Sequence, residues 1–155
     1  MKKTSILIAS AAVIALGLPA TVAFSAQDTT GQPIQFGADA GEATPDGFAL
    51  RGRAEVTQGT SRIRADAIRI FSTNGQPRRV EATGNVYFVT PEQSMRGNNA
   101  VYNIADGTVV VTGDVILTQG QNVLSGGRLV YNVRTETARI ESAGNRVRGV
   151  FYPSN

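Results

Sequence analysis

The sequence contains no cysteine, no histidine and no tryptophan among its 155 residues. Without histidine and cysteine, the chain lacks the commonest ligands of zinc, the base of a Ser-His catalytic pair and the thiol nucleophile. The absence of cysteine also excludes a disulfide framework and a lipid-modified cysteine. These absences argue against an enzyme, and they lead us to expect no cofactor and no metal.

Lysine is confined to two residues at the very start of the chain. An apolar run of 13 residues from Ile6 to Leu18 follows, and small residues then lead to Ser25. This layout is typical of a secretory signal peptide, and the run is shorter than the ~20 residues of a membrane-spanning helix. The sequence therefore predicts a signal peptide at residues 1–25 and an exported domain at residues 26–155.

The charge balance of the predicted mature chain is close to neutral. Its 13 arginines face 12 acidic residues, so the net charge is about +1 rather than the +3 of the whole sequence. Nucleic-acid binding requires a strong basic patch, which this balance does not supply. We therefore expect no nucleic-acid partner.

An internal repeat organises the mature chain. Three similar units begin at Gly52, Gly84 and Gly113, which lie 32 and 29 residues apart. Each unit contains two runs rich in valine, isoleucine and tyrosine that are joined by a short turn, which is the pattern of an antiparallel hairpin. The turns are predicted at 58–59, 74–75, 91–92, 106–107, 119–120 and 143–144. Further strands are predicted near residues 33–37, 47–58, 135–142 and 145–152, so the fold class is all-β.

Alternation along the strands predicts one apolar face. Val80, Ala82, Val86 and Phe88 share a parity, and the equivalent residues of the other units do the same. In the returning strands the parity switches beside Ala65, Gly97 and Gly126, which indicates a bulge or bend in every unit. Tyr87, Val101, Ile116 and Val130 fall on the opposite face. Alternation alone leaves open whether the apolar face lines a filled core or an open trough.

The candidate catalytic residues have a simpler explanation. Glu55 and Asp66 lie on adjacent predicted strands, and a carboxylate pair can perform acid–base chemistry. Both fall on the outer face beside Arg53 and Arg64, where cross-strand ion pairs account for them. The alternating arginines are most simply a solvated surface, although arginine can also grip anionic head groups.

Several segments resemble the OstA-like domain family. The resemblance is carried by residues 52–66, 109–120 and 124–131, by the first predicted strand (residues 32–36) and by the ending at residues 146–153. It implies a twisted, open β-jelly roll of repeated antiparallel hairpins. It also implies a periplasmic carrier of Gram-negative bacteria that binds the lipid A part of lipopolysaccharide in an apolar groove during outer-membrane assembly.

The resemblance assigns partners to the two ends of the sheet. The N-terminal edge would receive the inner-membrane protein LptC, the C-terminal edge would meet the outer-membrane protein LptD, and copies would stack head to tail. The edge residues implied are Ile34, Phe36, Val147 and Phe151. The lipid-binding residues implied by the resemblance, or argued from the repeat, are Ile34, Phe36, Val56, Tyr87, Phe88, Tyr102, Ile104, Leu117 and Tyr131.

Two alternatives stay open at the level of sequence. One is a sister component, similar to LptC, that retains its N-terminal segment as a membrane anchor. The other is a periplasmic β-scaffold with a dry core and no ligand. A hydrolase is the least supported class, because no residue set suggests one.

Overall fold

The computed structural model describes residues 31–144 and 146–153. The predicted signal peptide at residues 1–25 lies outside the described residues. Within the described residues, ten strands form one antiparallel sheet. They are β1 (Ile34–Gly37), β2 (Ala40–Thr44), β3 (Gly47–Gln58), β4 (Ser61–Thr73), β5 (Gln76–Val89), β6 (Gln93–Asn103), β7 (Thr108–Gln119), β8 (Asn122–Asn132), β9 (Thr137–Glu141) and β10 (Arg148–Val150). This confirms the prediction of an open all-β fold built from repeated hairpins. None of the helical turns within the described ranges is long and apolar enough to cross a membrane.

The strands follow one another through the sheet from β3 to β8, and both edges are shared by two short strands. β1 pairs with the second half of β3 and β2 with its first half. β9 and β10 divide β8 in the same way. Each edge therefore corresponds to one long strand that is interrupted in the middle. Beyond these two edges, the described residues contribute no further strand to the sheet.

A line of bends crosses the sheet at the middle of the long strands. The pairing register shifts there in all five neighbouring pairs from β3 to β8. At the shifts, the outgoing strands carry a glycine and the next residue with positive φ: Gly52–Arg53, Gly84–Asn85 and Gly113–Asp114. Two consecutive left-handed residues break the pleat and turn the strand, and glycine adopts this conformation at no steric cost.

The bends fold the sheet into two facing layers. The first layer contains β1, β10 and the segments 54–58, 61–65, 86–89, 93–97, 115–119 and 122–126. The second layer contains β2, β9 and the segments 47–51, 67–73, 76–83, 99–103, 108–112 and 128–132. Contacts between non-neighbouring strands support this arrangement, because Gln58 of β3 touches Tyr102 of β6. In a flat sheet these strands would lie about 14 Å apart.

The apolar faces of the two layers meet in a single core. Its largest fully buried side chains are Tyr131, Ile68, Met95, Leu129 and several valines. Each such side chain contributes about 1.5–3 kcal/mol when it is taken out of water. The alternation predicted this face correctly, including the change of parity within the returning strands.

The edge strands differ from the prediction. β2 was not predicted, since its sequence Ala-Gly-Glu-Ala-Thr has little β-propensity and forms a strand because it pairs with β3. The two last strands are shorter than predicted, at Thr137–Glu141 and Arg148–Val150. The turn predicted at Ala143–Gly144 separates two strands that pair with the same neighbour, β8, rather than with each other.

Candidate functional site

The interior between the two layers collects most of the sequence-predicted lining residues. Val56, Phe88, Tyr102, Ile104, Leu117 and Tyr131 all belong to the buried core, and none is more than 8% exposed. The rings of Phe88, in the first layer, and Tyr131, in the second, lie 5.9 Å apart. The interior is thus a continuous apolar seam in which side chains of the two layers touch directly.

A hydrogen bond closes the rim of this seam, where the layers meet opposite the bends. The Tyr102 hydroxyl donates to Gln58 Oε1 at 2.9 Å. The side chain of Thr90, in the turn that follows β5, interacts with the phenol of Tyr131 nearby. The bond from Tyr102 to Gln58 runs between the layers, so it must break if the layers separate at the rim.

Burial raises the pKa of the Tyr131 phenol above its ordinary value of 10.0, and the hydrogen bond with Thr90 opposes that rise. Glu136 and Glu92 add to the rise, because their negative charges disfavour a second anion nearby. The neutral phenol is therefore the form that the folded interior prefers.

This preference predicts a loss of stability in alkali. The unfolded chain loses the Tyr131 proton near pH 10 while the folded chain retains it, so the unfolded state is favoured as pH rises beyond that point. The stabilising contribution is complete below pH 10. Denaturant unfolding from pH 8 upward should show a free energy of unfolding that falls more steeply in wild type than in Tyr131→Phe. Equal slopes for the two proteins would contradict this assignment.

At the N-terminal end of the seam the interior is open to solvent. Ile34 is half-buried and packs against the core, whereas Phe36 is 48% exposed. The ring of Phe36 contacts the ring of Phe48, 5.2 Å away, across the two layers. Phe36 pairs with buried Val56, and Phe48 pairs with buried Ile70, so both rings face inward. They are exposed because no further strand covers this end within the described residues.

The C-terminal end is open in a similar way. Val147 is 42% and Phe151 64% exposed. Gly149 pairs with Leu124, and the aromatic ring of Phe151 lies over Gly149. Leu124 and Ile140 pack against the core from this side. Apolar side chains are therefore available at both ends of the seam, next to backbone edges that have no strand partner among the described residues.

Tyr87 is placed apart from the other eight predicted lining residues. It alternates with buried Val86 and Phe88, so its side chain lies on the outer face. There it is flanked across the strands by Arg64 and Arg96. The alternation of side chains along the strand, taken alone, would have assigned Tyr87 to the outer face and not to the lining.

The outer face carries the carboxylates considered as catalytic candidates. Arg64 Nε donates to Glu55 Oε2 at 2.7 Å, and Asn85 Nδ2 donates to Asp66 Oδ2 at 2.8 Å. Arg53 pairs with Asp39 and lowers the pKa of that carboxyl group. Glu55 thus forms the predicted cross-strand ion pair with Arg64, whereas Asp66 is hydrogen-bonded to Asn85 rather than paired with an arginine. No group of three or more acidic side chains could hold a metal in the part of the chain that the structure describes.

Sequence reasoning missed two features of the site. Gln58 and Gln93 are buried polar side chains on the inner face, at 5% and 7% exposure. Their parity with Val56 and Met95 was a signal that could have found them. The glycines of the bends were recognised as starts of the repeat, but their left-handed conformation and their contacts with Asp39, Asp66 and Asn98 were not predicted.

Comparison with known proteins gives a consistent result. Residues 39–137 match the family described as LptA/(LptD N-terminal domain) LPS transport protein. An uncharacterised protein of Rhizobium meliloti (strain 1021) is 29% identical over 136 residues, which covers 80% of this chain and 73% of the relative. The lipopolysaccharide export system protein LptA of Escherichia coli (strain K12) is 27% identical over 159 residues, with 96% and 84% coverage.

A solved structure shares the fold. It is LptH, described as the LptA homologous periplasmic component of the lipopolysaccharide transport device from Pseudomonas aeruginosa. It superposes with a TM-score of 0.74 at 21% identity and covers 82% of this chain and 100% of its own. Because the family match extends over most of the described sheet, the chain belongs to the LptA/LptD N-terminal domain family of lipopolysaccharide transport proteins.

Proposed function

We propose that the protein is a periplasmic carrier that binds the lipid A part of lipopolysaccharide in its interior and bridges the inner- and outer-membrane transport complexes. The observation that carries this proposal is the continuous apolar seam with apolar side chains exposed at both ends. Family membership narrows the ligand to lipopolysaccharide, since the matching relatives are named for its transport and export.

The seam suits acyl chains on energetic grounds. Each CH₂ group that moves from water into an apolar interior gains about 0.8 kcal/mol, so a multi-acyl lipid needs a shield to cross an aqueous compartment. The side chains of the two layers already touch, hence an acyl chain must replace some of these contacts as it enters. The exposed Phe36 and Phe48 rings offer a first apolar contact at the open end.

The two sheet edges suit partners that add a strand. β1 and β2 at one edge and β9 and β10 at the other present backbone groups that a partner strand can pair with. We assign LptC to the N-terminal edge with Ile34 and Phe36, and LptD to the C-terminal edge with Val147 and Phe151. The same two edges would join copies of this chain head to tail and so align their seams.

The proposed role needs no chemistry. Export with a cleaved signal at residues 1–25 would deliver the domain at residues 26–155 to the periplasm. Binding and release of lipid there would be driven by differences in affinity along the assembly, and the protein would act as a conduit rather than as an enzyme. No cofactor is required for that role.

Site-specific photo-cross-linking tests the proposal. A benzoylphenylalanine that replaces Tyr102 should label lipopolysaccharide in vivo, whereas the same probe at Val101 should not. The two positions are adjacent on β6 and face opposite sides of the sheet. Phe36 and Gln35 form a second matched pair, and both are exposed. Labelling from the outward positions that equals labelling from the inward ones would overturn the interior as the lipid site.

A ligand-free scaffold is the second candidate, and the close packing of the interior favours it. Lipid extraction and mass analysis of the protein purified from the periplasm separates the two. Bound lipopolysaccharide supports the carrier, and its absence supports the scaffold. The same mass spectrum tests the anchored, LptC-like alternative, because an intact N-terminus would favour retention of the first segment as an anchor.

A further inference from the structure

One buried polar atom in the interior receives no hydrogen bond from the described residues. Gln58 and Gln93 are the buried polar residues of the described core. Gln58 is satisfied, since Oε1 accepts from the Tyr102 hydroxyl and Nε2 donates to the Gln32 carbonyl at 3.2 Å. Gln93 Oε1 is buried, and no donor of the described residues reaches it. An acceptor left without a donor is costly, and native proteins rarely retain one without a reason.

The position of Gln93 suggests what that reason is. It begins β6 on the inner face, two residues before fully buried Met95. Its backbone closes the turn with Thr90, because Gln93 N donates to Thr90 Oγ1 and Thr90 N donates to Gln93 O. The side chain of Thr90 also interacts with the phenol of Tyr131, which lies in the second layer. Gln93 Oε1 therefore lies where the apolar seam meets the polar rim.

An amphiphile bound in the seam would place its own polar groups at this boundary. Its chains would lie among the apolar side chains, and groups attached close to the head would lie near the rim. We propose that Gln93 Oε1 accepts a hydrogen bond from a hydroxyl or amide N–H on the acyl part of the bound lipid. This inference rests on the proposed function and deepens it, because it makes Gln93 a residue that selects acyl chains with a donor.

The selection follows from desolvation. A hydroxyl that enters an apolar interior loses its hydrogen bonds to water. Its entry is therefore unfavourable unless the interior provides a hydrogen-bond acceptor. Gln93 supplies that acceptor, and the donor relieves the buried amide oxygen at the same time. Removing the acceptor should therefore reverse the preference of the seam rather than merely weaken it.

The test uses displacement of a fluorescent fatty acid from the purified protein by myristic acid and by 3-hydroxymyristic acid. We expect wild type to bind the hydroxylated acid about tenfold more tightly, which corresponds to about 1.4 kcal/mol. In Gln93→Met, which retains most of the side-chain volume, the plain acid should bind equally well or better and the preference should reverse. Gln119→Met is the matched control, because Gln119 pairs with Gln93 on the neighbouring strand but is exposed.

The outcomes test separately the role of Gln93 as an acceptor and the proposal that the interior binds lipid. Equal affinity of wild type for the two acids, as expected if water satisfies Gln93, would overturn the inference alone. A preference that persists in Gln93→Met would also overturn it. A fluorescent acid that fails to bind wild type would overturn the interior as a lipid site and this inference with it. Thermal melting of both variants verifies folding, and Gln93→Met should melt no lower than wild type.

Discussion

A clamp across the rim of the seam is expected to weaken lipid uptake strongly. The variant Gln58→Cys, Tyr102→Cys would carry the only two thiols of the protein, because the natural chain has no cysteine. A flexible bismaleimide would then tie the first-layer segment of β3 to the second-layer segment of β6. We expect the clamped protein to take up purified lipopolysaccharide about tenfold less well or worse, a loss of about 1.4 kcal/mol or more in binding free energy.

The expectation follows from the packing of the interior. Core side chains of the two layers are in contact, with residues such as Val80, Val109 and Leu129 fully buried. Protein interiors are packed as densely as organic crystals, so an acyl chain cannot slip between these side chains without moving a layer. The hydrogen bond from Tyr102 to Gln58 marks the place where the rim must part. A covalent link at that place replaces Tyr102, leaves the rest of the apolar lining in position and prevents the layers from separating there.

The same double variant blocked with N-ethylmaleimide is the matched control. It carries the same two substitutions and has lost the same hydrogen bond, but its layers are free to part. Uptake by this control should exceed uptake by the clamped protein, and unfolding should confirm that the clamped form is at least as stable. Equal uptake by the two forms would mean that lipid enters without separation of the layers at this point.

Much of this arrangement could be predicted from residue pattern alone. The positions of the hairpins and the inner face were predictable, because side chains alternate with a period of two and the repeat supplies three independent copies. Even the change of parity beside Ala65, Gly97 and Gly126 was visible in the sequence. Alternation and turn residues are local signals, so they sufficed to predict these features, and the burial seen in the structure confirms them.

The unpredicted parts depend on contacts between residues distant in sequence. β2 is a strand only because β3 offers a free edge, and its own residues would favour a loop. Phe36 and Phe48 are large apolar residues of the kind that usually lies in a core. They are nevertheless exposed, because the sheet ends beside them. The role of Gln93 depends on which donors surround it in three dimensions. Alternation assigns a residue to a face, but only the assembled layers show whether that face is covered.

The bends that create the two layers should be among the least tolerant positions in the protein. Gly84 has φ of +79°, and a Cβ placed there would clash with Asp66 Oδ2. Gly84→Ala should lower the free energy of unfolding by about 2–3 kcal/mol. About 1–2 kcal/mol comes from the left-handed backbone, and about 1 kcal/mol from the Asp66–Asn85 hydrogen bond that the methyl group displaces. Denaturant unfolding measures the sum.

Gly75 separates these two contributions. It has φ of +73° in the turn between β4 and β5, and nothing lies within 4 Å of a Cβ added there. Gly75→Ala should therefore cost only the backbone part, about 1–2 kcal/mol. If Gly84→Ala costs no more than Gly75→Ala, the contact with Asp66 does not constrain the bend.

A double-mutant cycle with Asp66→Ala identifies the displaced partner. Asp66→Ala alone loses the hydrogen bond to Asn85, and Gly84→Ala added to it should then cost only the backbone part, because the carboxylate is gone. The two substitutions should thus be less than additive by about 1 kcal/mol. The equivalent contacts of Gly52 with Asp39 and Gly113 with Asn98 suggest that each unit of the repeat fixes its bend in the same way. In each unit a short polar side chain fills the space that only glycine leaves open. It comes from the preceding strand in the case of Asp66 and Asn98, and from the link between β1 and β2 in the case of Asp39. The repeat therefore encodes the fold-over of the sheet and, with it, the seam between the layers.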